Sequence, residues 1–273
     1  MSGRITEKNP QLFVLMLDQS ASMELNFGGD HSKSKSTIVA KAVNELIEEL
    51  GLKSMSNQSS SAMKDKFEIA LISYYTDNDW NPIIGGAYEG PLKNKEGIVT
   101  ISELFDNPAE DDDDPVWVFP RNEGCTPMKG AIRYVYDLVD AWIDAHQDNS
   151  PRPIILNITD GMATDMTDTY EYTDLGQEIQ SLKSLSTDEN VLFFNLFLCE
   201  ESGSAKYPTS DPEFNQYCSF LFKHTSVLTD DMKKEANSLN YKFDGSDPRG
   251  FVVNGSSEDI IRFLKIGTTT ETK

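Results

Sequence analysis

Apolar residues in this chain gather in short runs that end abruptly in polar ones, and between the runs they recur at helical spacing. Runs at 12–17, 67–75, 154–159, 191–198 and 250–253 read as strands. Most are apolar at nearly every position, the pattern of strands covered by helices on both faces. Helical periodicity predicts helices at 37–50, 127–145, 170–185 and 257–265. In the first, Ile38, Val39, Val43, Leu46, Ile47 and Leu50 form one stripe, and Gly51 is expected to stop it. Alternating strands and helices predict an α/β fold: a doubly wound, mostly parallel central sheet flanked by helices on both faces. Segment 83–92 is expected as one antiparallel edge strand, paired as a hairpin with the 67–75 strand, although Gly85, Gly86 and Pro91 interrupt it.

The chain divides into an N-terminal tail at 1–10, a single domain at 11–268 and a C-terminal tail at 269–273. Loop insertions fall near 24–36, 54–66, 106–122 and 200–248. The first, with Gly28, Gly29 and three lysine or histidine residues, separates a strand from its helix by more than a compact domain requires and is expected to overhang the strand ends. The second is Ser-rich, and 106–115 holds the run Asp111-Asp112-Asp113-Asp114, read as a solvated acidic loop in preference to a second cation site. Segments 200–212 and 229–248 read as irregular and polar.

Candidate chemistry stands where the strands end. Asp18-Gln19-Ser20-Ala21-Ser22 follows the first apolar run, placing a carboxylate and two hydroxyls at alternate positions of an exit loop, where they can converge on one hard cation. Asp and Ser are also ordinary turn and cap residues there. Thr126 stands in Glu123-Gly124-Cys125-Thr126-Pro127-Met128 ahead of an amphipathic run, at a place that also suits a helix N-cap with Pro127 following. A third segment, 153–161, closes an apolar run with Thr159-Asp160-Gly161. In doubly wound sheets ligands bind beyond the carboxyl ends of the strands where strand order reverses, so residues more than a hundred positions apart can share one ion there.

In order and context these segments resemble the metal-ion-dependent adhesion site (MIDAS) of the von Willebrand factor A (VWA) family, which combines D-x-S-x-S with a distant Thr and then a distant Asp. The resemblance spans most of the chain and implies a Rossmann-like VWA fold with Asp18, Ser20, Ser22, Thr126 and Asp160 around the metal. Ala21 stands where Gly is commonest, and Cys125 replaces the second Gly of a Gly-Gly-Thr. Oxygen-only donors suit Mg²⁺ first, with Mn²⁺ or Ca²⁺ as alternatives, and leave coordination positions for water. Which aspartate touches the ion directly stays open. The resemblance implies a protein partner that presents an Asp or Glu carboxylate to the metal. It points to stand-alone intracellular bacterial members of the family, which serve as adaptors or scaffolds beside kinases, phosphatases or AAA+ ATPases.

The opposing class is a Mg-dependent phosphoryl-transfer or hydrolytic enzyme using the same strand-end aspartates. Against it, the chain lacks D-x-D, G-x-x-x-x-G-K-[ST] and G-x-S-x-G, so no catalytic residue and no organic cofactor are assigned. Ser61-Ala62-Met63-Lys64 matches S-x-x-K by letters alone, and His31, His146 and His224 lack zinc-site spacing, though His31 could border the ion. A purely structural ion is the third reading. A net charge of -21 opposes nucleic acid and anionic membranes. Cys125, Cys199 and Cys218 show no disulfide spacing, the N-terminus is polar, and no apolar run approaches the ~20 residues of a membrane span. A cytoplasmic location is therefore expected.

Overall fold

Five parallel strands form the centre of one mixed sheet: β1 (Gln11–Asp18), β2 (Phe67–Thr76), β7 (Ile154–Thr159), β8 (Leu192–Phe197) and β10 (Phe251–Val253). The computed structural model describes residues 5–26, 32–55, 63–111, 114–146, 150–166 and 172–269. The edge strand β3 (Pro82–Gly86) pairs antiparallel with β2, as the hairpin reading expects, but ends at the glycines instead of running on to 92. Two more antiparallel pieces are added, β4 (Val99–Thr100) on β2 and β9 (Ala205–Lys206) on β10. The small hairpin β5 (Ala109–Asp111) and β6 (Asp114–Val116) stands apart, and Asp112 and Asp113 lie outside the described residues. So do His31 and Ser61.

The helices are α1 (Lys35–Ser54), the short α2 (Ile101–Phe105), α3 (Met128–His146), α4 (Thr173–Ser184), α5 (Gln216–His224), α6 (Asp230–Ser238) and α7 (Ser257–Gly267). They cover both faces of the sheet, which is why its central strands are mostly apolar. Phe13, Leu15 and Leu17 pack with α1 and α7 side chains such as Val43, Ile47, Ile260 and Phe263. Leu12, Val14 and Met16 pack with Ile132 and Val135 of α3, Ile179 of α4 and Leu221 of α5.

Three expectations change. Gly51 does not stop α1, which runs to Ser54: Gly51 is buried with the Phe105 ring against it, where any Cβ would meet that ring at 2.1 Å. Segment 229–248 is not irregular throughout, since it holds α6, and α5 lies between the two segments read as irregular, where no helix was expected. Side chains of Asn215 and Thr229 cap these helices, and α6 was hard to read because it buries only Met232 and Ala236. The third concerns the start of α3 and is described with the site. Among the described residues no helix is long and apolar enough to cross a membrane.

The sheet order is β3-β2-β1-β7-β8-β10-β9. The chain leaves β1 toward β2 on one side and returns to β7 on the other, so strand order reverses between β1 and β7. Their carboxyl ends, Asp18 and Thr159-Asp160, therefore open onto the crevice in which this class of sheet binds ligands.

Candidate metal centre

Asp18 is the last residue of β1 and is 2 % exposed. Its Oδ1 accepts the Ser20 N–H at 2.9 Å, and its Oδ2 accepts the hydroxyl of Thr159, the last residue of β7, at 2.6 Å. The Ser20 and Ser22 Oγ atoms are 3.1 Å apart, and Ser22 Oγ donates to Asp160 Oδ1 at 2.7 Å. Four of the five expected ligands are thus joined by short polar contacts.

The fifth, Thr126, is brought in by its backbone. The Ala21 N–H donates to Gly124 O at 3.0 Å and the Glu123 N–H to Gln19 O at 2.7 Å, which ties the Thr126 loop to the serine loop. Thr126 N–H donates to Thr164 Oγ1 at 3.1 Å and Thr126 O accepts the Thr164 N–H at 2.8 Å, which ties it to the loop after β7. Gly124 has φ +60, and a Cβ there would lie 2.1 Å from Thr76 O, so this turn needs glycine. Thr76 Oγ1 also accepts the Cys125 N–H at 2.9 Å.

Thr126 was equally readable as the cap of α3. The first-turn amides of Lys129 and Gly130 go instead to Asp165 Oδ1 and Oδ2, at 3.1 and 2.7 Å. Asp165 is thirty-six residues away from Lys129, too far for a local capping signal. With that work taken over, Thr126, only 4 % exposed, is not needed as a cap.

The sequence reading missed Lys35. Its ammonium donates to Asp160 Oδ2 at 2.7 Å and to Ser22 O at 3.4 Å, and the two side chains of the ion pair are 2 % and 1 % exposed. Lys35, the first residue of α1, reaches into the strand-end crevice, while 27–31 of the 24–36 insertion lie outside the described residues. Beside the pair opens a cleft of about 540 Å³ whose outer wall includes Cys199, Glu200, Glu201, Asn215 and Tyr217. Asn254 holds that wall: its Oδ1 accepts the Cys199 N–H at 2.8 Å and its Nδ2 donates to Glu201 O at 2.7 Å.

The electrostatics can accommodate a cation. Burial, and then the charge of Asp160, push the Asp18 carboxyl up to about 7 despite the hydrogen bonds from Ser20 and Thr159. Ser20, Ser22 and Thr126 supply neutral oxygens, Asp18 and Asp160 supply negative charge, and a positive ammonium already sits against Asp160. This donor set fits a hard divalent ion. Among the described residues no cluster of three or more His, Cys, Asp or Glu side chains offers a rival site.

Beneath the site a buried polar chain crosses the sheet: Tyr74 OH donates to Asn157 Oδ1 at 2.8 Å, Asn157 Nδ2 to Asn195 Oδ1 at 2.9 Å, and Asn195 Nδ2 to Thr225 Oγ1 at 2.7 Å. Burial, followed by the Asp18 charge, raises Tyr74 well above its ordinary value, so its phenol stays protonated.

No protein-family model and no curated protein sequence matches the chain. Solved structures do. Proximal thread matrix protein 1 from the mussel byssus, with a zinc-occupied MIDAS motif, is 13 % identical over 94 % of this chain and 46 % of its own, at a TM-score of 0.49. Manganese-loaded TRAP protein of Plasmodium vivax is 14 % identical over 72 % and 60 %, at 0.37. The ArnB paralog VWA2 from Sulfolobus acidocaldarius is 15 % identical over 72 % and 35 %, at 0.28. The chain spans about half the length of the mussel protein. With these three scores below 0.5, the assignment rests on this chain's own topology: the sheet order, the reversal beside β1 and the D-x-S-x-S, Thr and Asp loops gathered there give it the VWA fold.

Proposed function

We propose that the chain is a non-enzymatic, divalent-metal-dependent protein-interaction module, with Asp18, Ser20, Ser22, Thr126 and Asp160 holding Mg²⁺, or Mn²⁺ or Ca²⁺ in its place. The observation that carries this reading is the convergence at the β1–β7 crevice, where Ser22 Oγ meets Asp160 Oδ1 at 2.7 Å across 138 residues of sequence. An ion bound largely through neutral hydroxyls stays electrophilic. An Asp or Glu carboxylate of a partner protein would then complete its shell from the 540 Å³ cleft. Glu200 and Glu201 on the cleft wall and a net charge of -21 repel such a carboxylate, so the attraction must come from the ion, and binding should depend strictly on it.

The partner belongs, on this reading, to an intracellular multi-protein system in which the chain is an adaptor or scaffold beside a kinase, a phosphatase or an AAA+ ATPase. The test is capture from lysate of the source cell with Mg²⁺ or with EDTA, comparing wild type with the Asp18→Ala, Thr126→Ala double variant. One partner lost both on chelation and in the variant is the expected result. Equal capture in all four arms sinks the proposal, and so does phosphoester turnover that vanishes in Asp18→Ala.

A further inference from the structure

Lys35 is placed where a lysine is least favoured on two counts. It opens α1, at the end of a helix where the macrodipole repels positive charge and no acidic residue stands in the first turn. Its side chain is also 2 % exposed, far from the water an ammonium prefers. Asp160 at 2.7 Å and the Ser22 carbonyl at 3.4 Å offset both costs. These same residues are the ones expected to hold the metal. The two oxygens of Asp160 are divided between them, Oδ1 taking the Ser22 hydroxyl and Oδ2 the ammonium.

We infer that Lys35 is the resident cation of this site, a tethered competitor that a divalent ion must oppose or displace from Asp160 in order to bind. The inference rests on the metal-site reading and adds to it a residue that sets affinity. In the metal-free protein the ammonium compensates Asp160, which otherwise faces Asp18 across the crevice as an uncompensated like charge. When a divalent ion enters, a positive charge a few ångströms away opposes it. Even with water-like screening that repulsion is worth about tenfold in affinity, and more at the lower effective dielectric of a buried site. The site thus has weakened affinity without losing a ligand, and the loaded state is coupled to the first turn of α1, from which Lys35 comes.

The test is calorimetric titration of Mg²⁺ and Mn²⁺ into wild type, Lys35→Met and Lys35→Arg, with circular dichroism to verify folding. Lys35→Met should bind at least about tenfold more tightly than wild type and Lys35→Arg within about threefold of it. Metal binding by wild type with equal or weaker binding by a folded Lys35→Met overturns this inference alone. Absence of binding by both overturns the metal reading with it. Should Lys35→Met not fold, the wild type still decides: the Lys35 ammonium, held in its ion pair, should give a slowly exchanging ¹⁵Nζ signal that shifts or broadens on saturation with Mg²⁺. A signal unaltered by saturating, calorimetrically verified metal overturns the competition.

Discussion

The exits of β1 and β7 carry the same residue in opposite electrostatic settings. Asp18 is buried among neutral donors, an amide and a hydroxyl, and its charge is disfavoured enough to push its carboxyl up to about 7. Asp160 has a lysine ammonium at 2.7 Å. Among the described residues, one carboxylate therefore lacks a compensating cation and the other has one built in. The difference teaches which is structural in the metal-free protein: Asp160 and Lys35 hold each other in place, whereas Asp18 carries a charge the fold bears at a cost.

The largest expected effect follows from breaking the compensated side. Asp160→Ala leaves Lys35 buried and unpaired and should lower stability by about 3–5 kcal/mol in EDTA, measured by urea unfolding. A loss below about 1 kcal/mol would mean that the ammonium simply swings into solvent. Asn195→Ala breaks the polar chain beneath both exits, orphaning Asn157 Nδ2 and the contact to Thr225, and should cost about 2–3 kcal/mol. Its loss should be the same with and without Mg²⁺, which separates the scaffold from the site.

A pH series in EDTA, run on wild type and a His224 variant, addresses a group at the end of α5. His224 is held down to about 4 by burial first and then by Lys183, Lys223 and Arg249. Its folded value lies below its unfolded one near 6.5, so its own contribution to stability falls as pH drops through that window, opposed by the raised Asp18 carboxyl, whose contribution grows there. After allowance for partial exposure the loss is on the order of 1–2 kcal/mol. His224→Gln should remove that loss from the profile, and an unchanged slope would place its origin elsewhere. The smallest effect falls on the uncompensated side. At pH 8, above the raised Asp18 value, Asp18→Asn removes a disfavoured charge and should leave metal-free stability unchanged or raise it by about 1 kcal/mol, while weakening Mg²⁺ affinity at least tenfold by calorimetry. A loss comparable to that of Asp160→Ala would erase the distinction between the two exits.

Local pattern was enough to place the five parallel strands and the polar residues at the exits of β1 and β7, because burial on both faces imposes a largely apolar run and the chain must turn polar where the run leaves the sheet, whereas Thr126 was singled out by the resemblance to the VWA pattern. Asp18 and Asp160 stand at those boundaries, and the alternation of strand with helix brings their strands side by side. Helices α5 and α6 were less legible, since short segments capped by Asn215 and Thr229 bury too few residues to show a period. Only the tertiary structure decided which charges and donors meet. The capture of Lys35 by Asp160, the capping of α3 by Asp165 in place of Thr126, and the chain from Tyr74 to Thr225 all join residues far apart in sequence. Hydrophobic periodicity records how much of a residue is buried. It does not record which distant polar group it is buried against.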